Sequence, residues 1–487
     1  MAAYKSLAGR LAAILVPALL MLACLDARAQ TAVRCDLDPT ALSTAIAEAN
    51  PGAILAITGI CEGQISIASV LDAGITLTNE TGLIGATLIA GDGIAGQLKV
   101  SGLIQVTISG LTLEGPSSDL GYPAVLEIDN STVTIENAQI ISGWRNGMAA
   151  SHNAMARLLN ATVSGNGMLN VSGQCDGIRA EGGSRVYLGQ YTGSGAVDTA
   201  NTVTVVSNAC NGVSLVSASS LTLVGGTIEG NGGIEIFLNG TSDAGIFGAT
   251  IQQQHAPNVA EAAAVYAYQA SRVMLGLGTS VEAGAYGSAV VVTSASSLAV
   301  LDTNLSNTTT SYPTLQASGV SHVMLSGGNT IANTASGGTA VALDHGSSLV
   351  QGQGADLVPS ITGQPLAIDP AGDTITGNGA VQVQSDIEIG TGAANPSSWS
   401  GSIAVTQNSA FRMDGGMSIS GAVTVQQGSN GFFNNAAGGL NVVTGGVMCP
   451  WTTSPSSHVS APQKVVLSPS GPQAVTIGNV SPDCVAF

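Results

Sequence analysis

The sequence repeats itself with a period in the twenties, and this repeat limits the folds open to the chain more than any other feature. The segment from Val213 to Ile228 aligns with the segment from Val290 to Leu305, and both carry Ser-Ala-Ser-Ser between two apolar, alternating stretches. Nine such frames follow one another at intervals of roughly 21 to 35 residues. Their anchor residues, each of which opens a short strand, are Val125, Met148, Ile178, Val213, Ile234, Val265, Val290, Leu315 and Val341.

Equivalent strands that recur in one direction once per repeat can pair only in parallel, with the rest of each repeat as the crossover. The crossover rule makes the winding right-handed. Alternation within each strand sends the anchor and the residue two further on into an apolar core that stacks from coil to coil. The sequence therefore predicts an all-β chain that forms a single right-handed parallel β-helix, a solenoid.

The composition agrees with short strands joined by tight turns. Charged residues make up 9% of the chain and aromatic residues 3%, whereas the apolar fraction is 45% and glycine occurs 64 times. A chain rich in Val, Ile, Thr, Ser and Gly favours strands and turns over long helices.

The N-terminal segment is interpreted as a signal peptide. Lys5 and Arg10 precede an apolar run from Leu11 to Ala23, which is too short to span a bilayer. Ala29 ends a small-x-small pattern, so cleavage after Ala29 is predicted, with lipidation of Cys24 as the alternative. We therefore expect a protein that is secreted or at the cell surface, with periplasmic retention as another outcome. No later segment is predicted to span a membrane.

Removal of the signal peptide leaves an even number of cysteines, which indicates disulfides in an exported chain. They fall into three sequence-local pairs, and the predicted bonds join Cys35 to Cys61, Cys175 to Cys210, and Cys449 to Cys484. A zinc site is the alternative interpretation, but it is disfavoured because no two of these cysteines have the short spacing of such a site. No metal or cofactor is predicted.

The formal charge of −18 restricts the partners. Loss of the signal peptide, with three basic residues and one acidic residue, brings it to about −20. Nucleic acid is excluded as a partner on this ground, and so are anionic membranes. Anionic polysaccharides would be repelled overall, unless bound cations or a local arginine cluster compensate.

The chain resembles the pectin-lyase-like superfamily of right-handed β-helices over most of its length. Leu42-Ser-Thr-Ala-Ile46, followed by Asn50-Pro-Gly-Ala-Ile-Leu-Ala-Ile57, is similar to the entry element of that superfamily, a short amphipathic helix that caps the open end of the core. The segment from Cys449 to Cys484 resembles a disulfide-closed cap at the other end. The domains predicted in this way are a signal peptide (1–29), a β-helix with its N-terminal cap (30–446) and a C-terminal cap segment (447–487).

The resemblance implies a superfamily of lyases, polygalacturonases, esterases and non-enzymatic adhesins, so motifs must decide the activity. The Asn-Thr-Asp, Asp-Asp, Gly-His-Gly and Arg-Ile-Lys set of polygalacturonases is absent, and the motifs of pectin methylesterases are not visible. Asp344-His345 is similar to the Asp-His of pectate lyases but lacks the preceding aromatic residue. No catalytic residue is assigned from the resemblance.

The repeat register itself selects a candidate binding surface, because residues one and three places after each anchor should point outward and align from coil to coil. Aromatic and charged residues are concentrated there, which suits sugar rings and hydroxyls. A purely structural role, as stacked aromatics and an Arg-Glu pair on an exposed sheet, is the alternative. The candidate residues are Arg179, Glu181, Glu235, Phe237, Tyr266 and Tyr268.

A second candidate is the densest charged stretch of the chain, from Arg145 to Arg185. His152 and Asp176 are 24 residues apart, close to one coil, and could be neighbours. An arginine near a carboxylate is what a lyase needs beside a sugar acid. Ion pairs on a solvated loop are the alternative.

Two functions follow from these observations. The first is an extracellular β-helix that binds oligo- or polysaccharide or contributes to the cell surface without catalysis. The second is a carbohydrate-active enzyme, a polysaccharide lyase or glycoside hydrolase, that acts on a groove of one sheet face. The passenger of an autotransporter is disfavoured, because no C-terminal barrel follows and passengers usually avoid cysteines.

Overall fold

Two parallel sheets wind along the whole described part of the chain and enclose one continuous apolar core. The computed structural model describes residues 30–449 except 69–72, 84, 86, 170–173, 256–262, 352–372, 390–395, 414–415 and 435–441, and it adds the backbone of three short strands beyond them. Each coil contributes one strand to sheet A and, after the first coils, two strands to sheet B. The predicted all-β, parallel β-helix is confirmed.

Sheet A contains one strand from each coil, and all its pairings are parallel. Its strands, numbered along the whole chain, are β1 Gln30–Arg34, β2 Ile54–Thr58, β4 Ile75–Asn79, β6 Gln105–Ser109, β9 Thr132–Glu136, β12 Met155–Leu159, β15 Arg185–Gly189, β18 Ser220–Val224, β21 Asp243–Phe247, β24 Arg272–Gly276, β27 Ser297–Val300, β30 His322–Leu325, β33 Ser348–Gln351, β36 Asp386–Ile389, β39 Ala410–Met413, β42 Asn430–Asn434, β45 Lys464–Ser468 and β47 Val485–Ala486.

Sheet B begins with the long strands β3 Ile60–Ile67 and β5 Gly93–Ser101 and then divides into two rows that meet at a corner. The first row contains β7 Thr112–Glu114, β10 Gln139–Ile141, β13 Ala161–Ser164, β16 Val203–Val206, β19 Thr227–Glu229, β22 Thr250–Gln252, β25 Ser280–Glu282, β28 Asn304–Asn307, β31 Thr330–Asn333, β34 Thr374–Thr376, β37 Ser397–Ser400, β40 Met417–Ile419, β43 Val442–Val443 and β46 Thr476–Ile477. The second row contains β8 Ala124–Asp129, β11 Asn146–Ser151, β14 Ile178–Ala180, β17 Val213–Val216, β20 Ile236–Asn239, β23 Ala263–Ala267, β26 Ser288–Val292, β29 Leu315–Ala317, β32 Thr339–Leu343, β35 Asn378–Val381, β38 Ile403–Val405, β41 Val423–Val425 and β44 Val447–Met448.

Seven of the nine predicted anchors share one column of the second row, running from Met148 through Val265 to Val341. Two predictions of register were wrong. Val213 aligns with Ile236 and not with Ile234, and Met148 aligns with Leu126 and not with Val125. Both errors arise because another buried apolar residue, Val125 in one coil and Ile234 in the other, lies one or two positions before the true anchor.

The helix α1 (Ala41–Glu48) lies at the N-terminal end of the core and packs against β1 and β3. Its apolar side, with Leu42 and Ile46, is buried. Of the predicted disulfides, Cys35 is bonded to Cys61 and Cys175 to Cys210. Cys449 is also disulfide-bonded, but its predicted partner Cys484 lies outside the described residues. None of the described helices is long and apolar enough to cross a membrane.

The Ser-Ala-Ser-Ser motif forms the corner between the second row of sheet B and sheet A. Ser217 and Ala218 have φ of 55° and 63°, and Ser294 and Ala295 have φ of 56° and 63°. Two successive left-handed residues reverse the chain within a short turn. The turns stack like the strands, because the Ala218 N–H donates to the Gly240 carbonyl at 2.8 Å.

A buried serine follows each of these turns and ties it to its neighbour. Ser271 donates its hydroxyl to the Tyr268 carbonyl at 2.7 Å and accepts the Ser242 N–H at 3.3 Å. The Ser271 N–H in turn donates to Ser296 Oγ at 3.2 Å. This column of serines explains why serine is the most regular element of the repeat.

We expect Ser271→Ala to lower the free energy of unfolding by about 2 kcal/mol, because it removes two hydrogen bonds and leaves the buried Ser242 N–H without an acceptor. Ser297→Ala is the matched control, since Ser297 is half-buried and on the outward side of sheet A, and it should cost less than about 0.5 kcal/mol. Urea unfolding followed by circular dichroism measures both variants. Equal destabilisation by the two substitutions would contradict a structural role for the serine column.

Candidate functional site

Aromatic side chains occupy consecutive coils of the outward face of sheet B. Phe237 and Tyr266 are register partners, with ring centroids 6.0 Å apart and planes inclined by 21°. Tyr268, just beyond β23, lies 6.5 Å from the Tyr266 ring. All three side chains are partly exposed. We call Phe237, Tyr266 and Tyr268 the aromatic column.

Arg179 lies on the same outward face, two coils before Phe237 in the same register, with Ser214 between them. Its guanidinium lies 3.3 Å from the Glu181 carboxylate and 3.5 Å from that of Asp176. Glu181 is about half exposed, whereas Asp176 is buried. Arg179 and Glu181 thus present a charged pair at one end of the aromatic column.

Asp176 belongs to the interior and not to an exposed charged loop. It accepts the Asn211 N–H at 3.1 Å, and its own N–H donates to Asn146 Oδ1 at 2.9 Å. Burial raises the pKa of Asp176, and the nearby Arg179 opposes that effect. Its role is therefore to hold the corner beside the Cys175 disulfide and to position Arg179.

His152 and Asp176 are not neighbours, and this prediction was wrong. β11 and β14 pair with Met148 opposite Ile178, so Asp176 precedes one end of the pair and His152 follows the other. The two residues are therefore separated by roughly 20 Å along the strands. His152 lies instead at an exposed turn with φ of 54°, where its Nδ1 is 2.7 Å from Asp129 Oδ1.

Glu235 is buried, although the sequence predicted that it points outward. Because the anchor of this coil is Ile236, Glu235 falls in the turn before β20, where its side chain enters the corner between the two rows of sheet B. Its carboxylate accepts the backbone N–H of Asn231 at 3.2 Å and also the Asn231 side-chain amide. Burial raises the pKa of Glu235 to about 8.

Glu235 ends a column of buried asparagines along that corner. The Asn166 amide donates to Asn208 Oδ1 at 2.9 Å, and the Asn208 amide donates to Asn231 Oδ1 at 2.8 Å. Asp373 is likewise a buried acceptor beside an asparagine, since it accepts the Asn329 N–H at 3.0 Å and the Asn329 amide at 2.8 Å. Glu235 thus ends the asparagine column, whereas the N–H of Asp373 donates onward to Ser397 Oγ at 3.0 Å, and these bonds indicate a structural role for both acids.

The charged stretch from Arg145 to Arg185 is divided between the faces of the molecule. Arg157 and Arg185 belong to sheet A, where Arg157 aligns with Tyr187 and Arg185 with Ser220. Arg179 belongs to sheet B. Only Arg179 and Glu181 of this stretch accompany the aromatic column, so the single charged cluster expected from the sequence does not form.

The outward face of sheet A carries a groove that the sequence pattern did not predict. Two adjoining cavities of about 430 and 530 Å³ share Ser348 and Val350 as lining residues. The floor of the first is a single register column of apolar side chains, Met274, Ala299, Met324 and Val350. The same column continues into the second cavity as Glu388, Arg412 and Phe432.

The signal for this groove was present in the strands Ser271-Arg-Val-Met-Leu275 and Ser321-His-Val-Met-Leu325. The methionine of each strand, Met274 and Met324, points outward, and the two are aligned through Ala299. Taken singly, each methionine in an alternating strand is indistinguishable from a core residue, because sulfur side chains suit both environments.

No group of three or more histidine, cysteine or acidic side chains is close enough to hold a metal ion within the residues that the structure describes. Comparison with known proteins adds no functional label, since no protein-family model and no curated protein matches the chain.

We expect the free energy of unfolding to fall by about 3 kcal/mol between about pH 5 and pH 8 through Glu235 alone. The folded protein keeps this proton up to about pH 8, whereas the unfolded chain releases it near the ordinary pKa of 4.5, so rising pH favours the unfolded chain. Glu235→Gln should therefore flatten the pH dependence, and urea unfolding at several pH values measures it. Glu282→Gln, at an exposed site, serves as the control. Curves for Glu235→Gln that run parallel to those of the unsubstituted protein would contradict this assignment.

Proposed function

We propose that this protein is an exported parallel β-helix that binds neutral glycan chains without cleaving them, through the aromatic column together with Arg179 and Glu181. The observation that carries the proposal is the arrangement of Phe237, Tyr266 and Tyr268 on one outward face. Partly exposed aromatic rings in a chain with only 3% aromatic residues present a local apolar surface for the C–H faces of sugars.

The charged pair supplies the polar half of a sugar site. Arg179 donates hydrogen bonds and Glu181 accepts them, so the pair can bind adjacent hydroxyl groups of one sugar ring. Because Glu181 and Asp176 both offset the positive charge of Arg179, the site has no excess of cationic groups for a sugar carboxylate. The overall charge of −18 favours a neutral glycan for the same reason.

Binding agrees better with the geometry than cleavage does. The two carboxyl groups that would have been candidate acids or bases, Glu235 and Asp176, are both buried in the corner of the fold. Glycoside hydrolysis requires two carboxyl groups flanking the bond to be broken. Glu181 is the only acid of the sequence-predicted set that lies on the accessible face, and His152 lies at the far end of its strand.

Export is proposed from the signal-peptide pattern of residues 1–29, which lie outside the described residues. The two disulfides support it, because such bonds persist in oxidising compartments.

Tyr266→Ala is expected to weaken glycan binding roughly tenfold, because the central ring of the aromatic column contacts both of its neighbours. Tyr187→Ala is the matched control, since Tyr187 is a partly exposed tyrosine of sheet A and should leave the affinity unchanged. Arg179→Gln should also weaken glycan binding, and Arg185→Gln, at an arginine of sheet A, is its matched control and should leave the affinity unchanged. A glycan array identifies the ligand, and isothermal titration calorimetry measures each variant.

Three outcomes would contradict this function: no binding across an array of neutral and anionic glycans, equal loss in Tyr266→Ala and Tyr187→Ala, or chain cleavage. Release of reducing ends or unsaturated products from a polysaccharide panel would favour the lyase or hydrolase alternative.

A further inference from the structure

The geometry of sheet A points to a second binding site, and we propose that its groove binds a single-chain zwitterionic amphiphile. The acyl chain lies on the column from Met274 to Val350, and the head group lies beside Glu388, Arg412 and Phe432. This site is independent of the aromatic column, which belongs to sheet B.

The tail portion is a narrow apolar strip. Met274, Ala299, Met324 and Val350 are register partners in four successive coils, so the column is about 14 Å long, with the buried Met274 at one end. That length is comparable to an extended dodecyl chain. Val350 is 40% exposed and lines both cavities, so its side chain is accessible from the groove. The strip is one side chain wide, and flexible methionines adapt to an unbranched chain.

The rim beside this strip is polar and carries no carboxylate along the same four coils. Its register column consists of Arg272, Ser297, His322 and Ser348. His322 Nδ1 lies 2.7 Å from Ser348 Oγ. An apolar floor with a hydrogen-bonding rim suits an acyl chain that is shielded from water on the side facing the protein.

One end of the strip is closed by an apolar wall. The loop of residues 190–202 crosses the outward side of sheet A, where Tyr191 and Val197 pack on Val224, Phe247 and Met274. The Tyr191 ring lies 6.2 Å from the Phe247 ring, and burial raises the pKa of the Tyr191 hydroxyl to about 12. The methyl end of an acyl chain therefore meets apolar side chains at this wall.

The other end carries both signs of charge and an aromatic ring. Asp386 and Glu388 point outward from β36, and Arg412 lies in the next coil with its Nε 3.9 Å from Glu388 Oε1. Phe432 follows in register and is 39% exposed. The carboxylates and the ring suit a quaternary ammonium, and the guanidinium suits a phosphate. This combination favours a zwitterionic head group over a fatty acid or an anionic detergent.

Dodecylphosphocholine below its micellar concentration is the probe, with free phosphocholine as the head-group control, and calorimetry measures both. The protein should bind dodecylphosphocholine and should not bind phosphocholine at the same concentration. Val350→Asp places a charge under the chain and should weaken binding about tenfold or more. Val320→Asp, at a 58% exposed valine in a turn, is the matched control and should bind normally.

Arg412→Gln tests the head-group end with little risk to folding, because its side chain is about half exposed. It should weaken binding of dodecylphosphocholine and leave that of dodecyl maltoside unchanged. Tyr266→Ala should bind dodecylphosphocholine normally, so failure of the glycan proposal and failure of this one can be told apart. Absence of binding, or equal binding by Val350→Asp and Val320→Asp, would overturn the inference. A dimer that Val350→Asp dissociates in sedimentation experiments would overturn it as well, because the groove would then be an interface between copies.

Discussion

Every coil of this protein depends on parallel backbone pairing with the coils on either side of it. The pairing is in register over long stretches: the column from Met148 to Val341 passes through eight strands without a shift. One coil has too little apolar surface to be stable alone, and stacking supplies both the hydrogen bonds and the burial. The outward faces have the same order, so a side chain at an outward position of this stretch is aligned with its equivalents in the neighbouring coils.

The corners must repeat as faithfully as the strands, and three kinds of polar column maintain them. Left-handed turn residues link their backbones from coil to coil, as between Ala270 and Ser294. Buried serines fix the entry to sheet A, and asparagines fix the corner within sheet B. Because an unpaired polar group inside such a core is costly, the last N–H of the asparagine column needs an acceptor, and Glu235 provides it. Asp373 accepts the Asn329 N–H in the same way.

The same regularity separates two surfaces of different chemistry. Sheet B presents stacked rings next to an Arg-Glu pair, whereas sheet A presents an apolar strip that ends in mixed charges. The loop of residues 190–202 crosses sheet A, and by covering Phe247 it turns a flat face into a groove with a closed end. Insertions between coils thus determine where a concave surface forms, while the coils determine which side chains line it.

Sequence by itself determined the fold class, the position of most anchors, two disulfides and the outward placement of Phe237 and Tyr266, because strand alternation and repeat spacing are local properties. It also placed Arg179 and Glu181 on that face. Only the tertiary structure determined that the Glu235 side chain is buried, since a two-residue error in the anchor places this side chain on a strand face instead of in a corner. It likewise separated His152 from Asp176 and created the groove on sheet A. Spacing along the chain gives only the number of residues between two positions. The pairing of the strands determines at which end of a strand pair each position lies, and the path of the inserted loop determines where the groove forms.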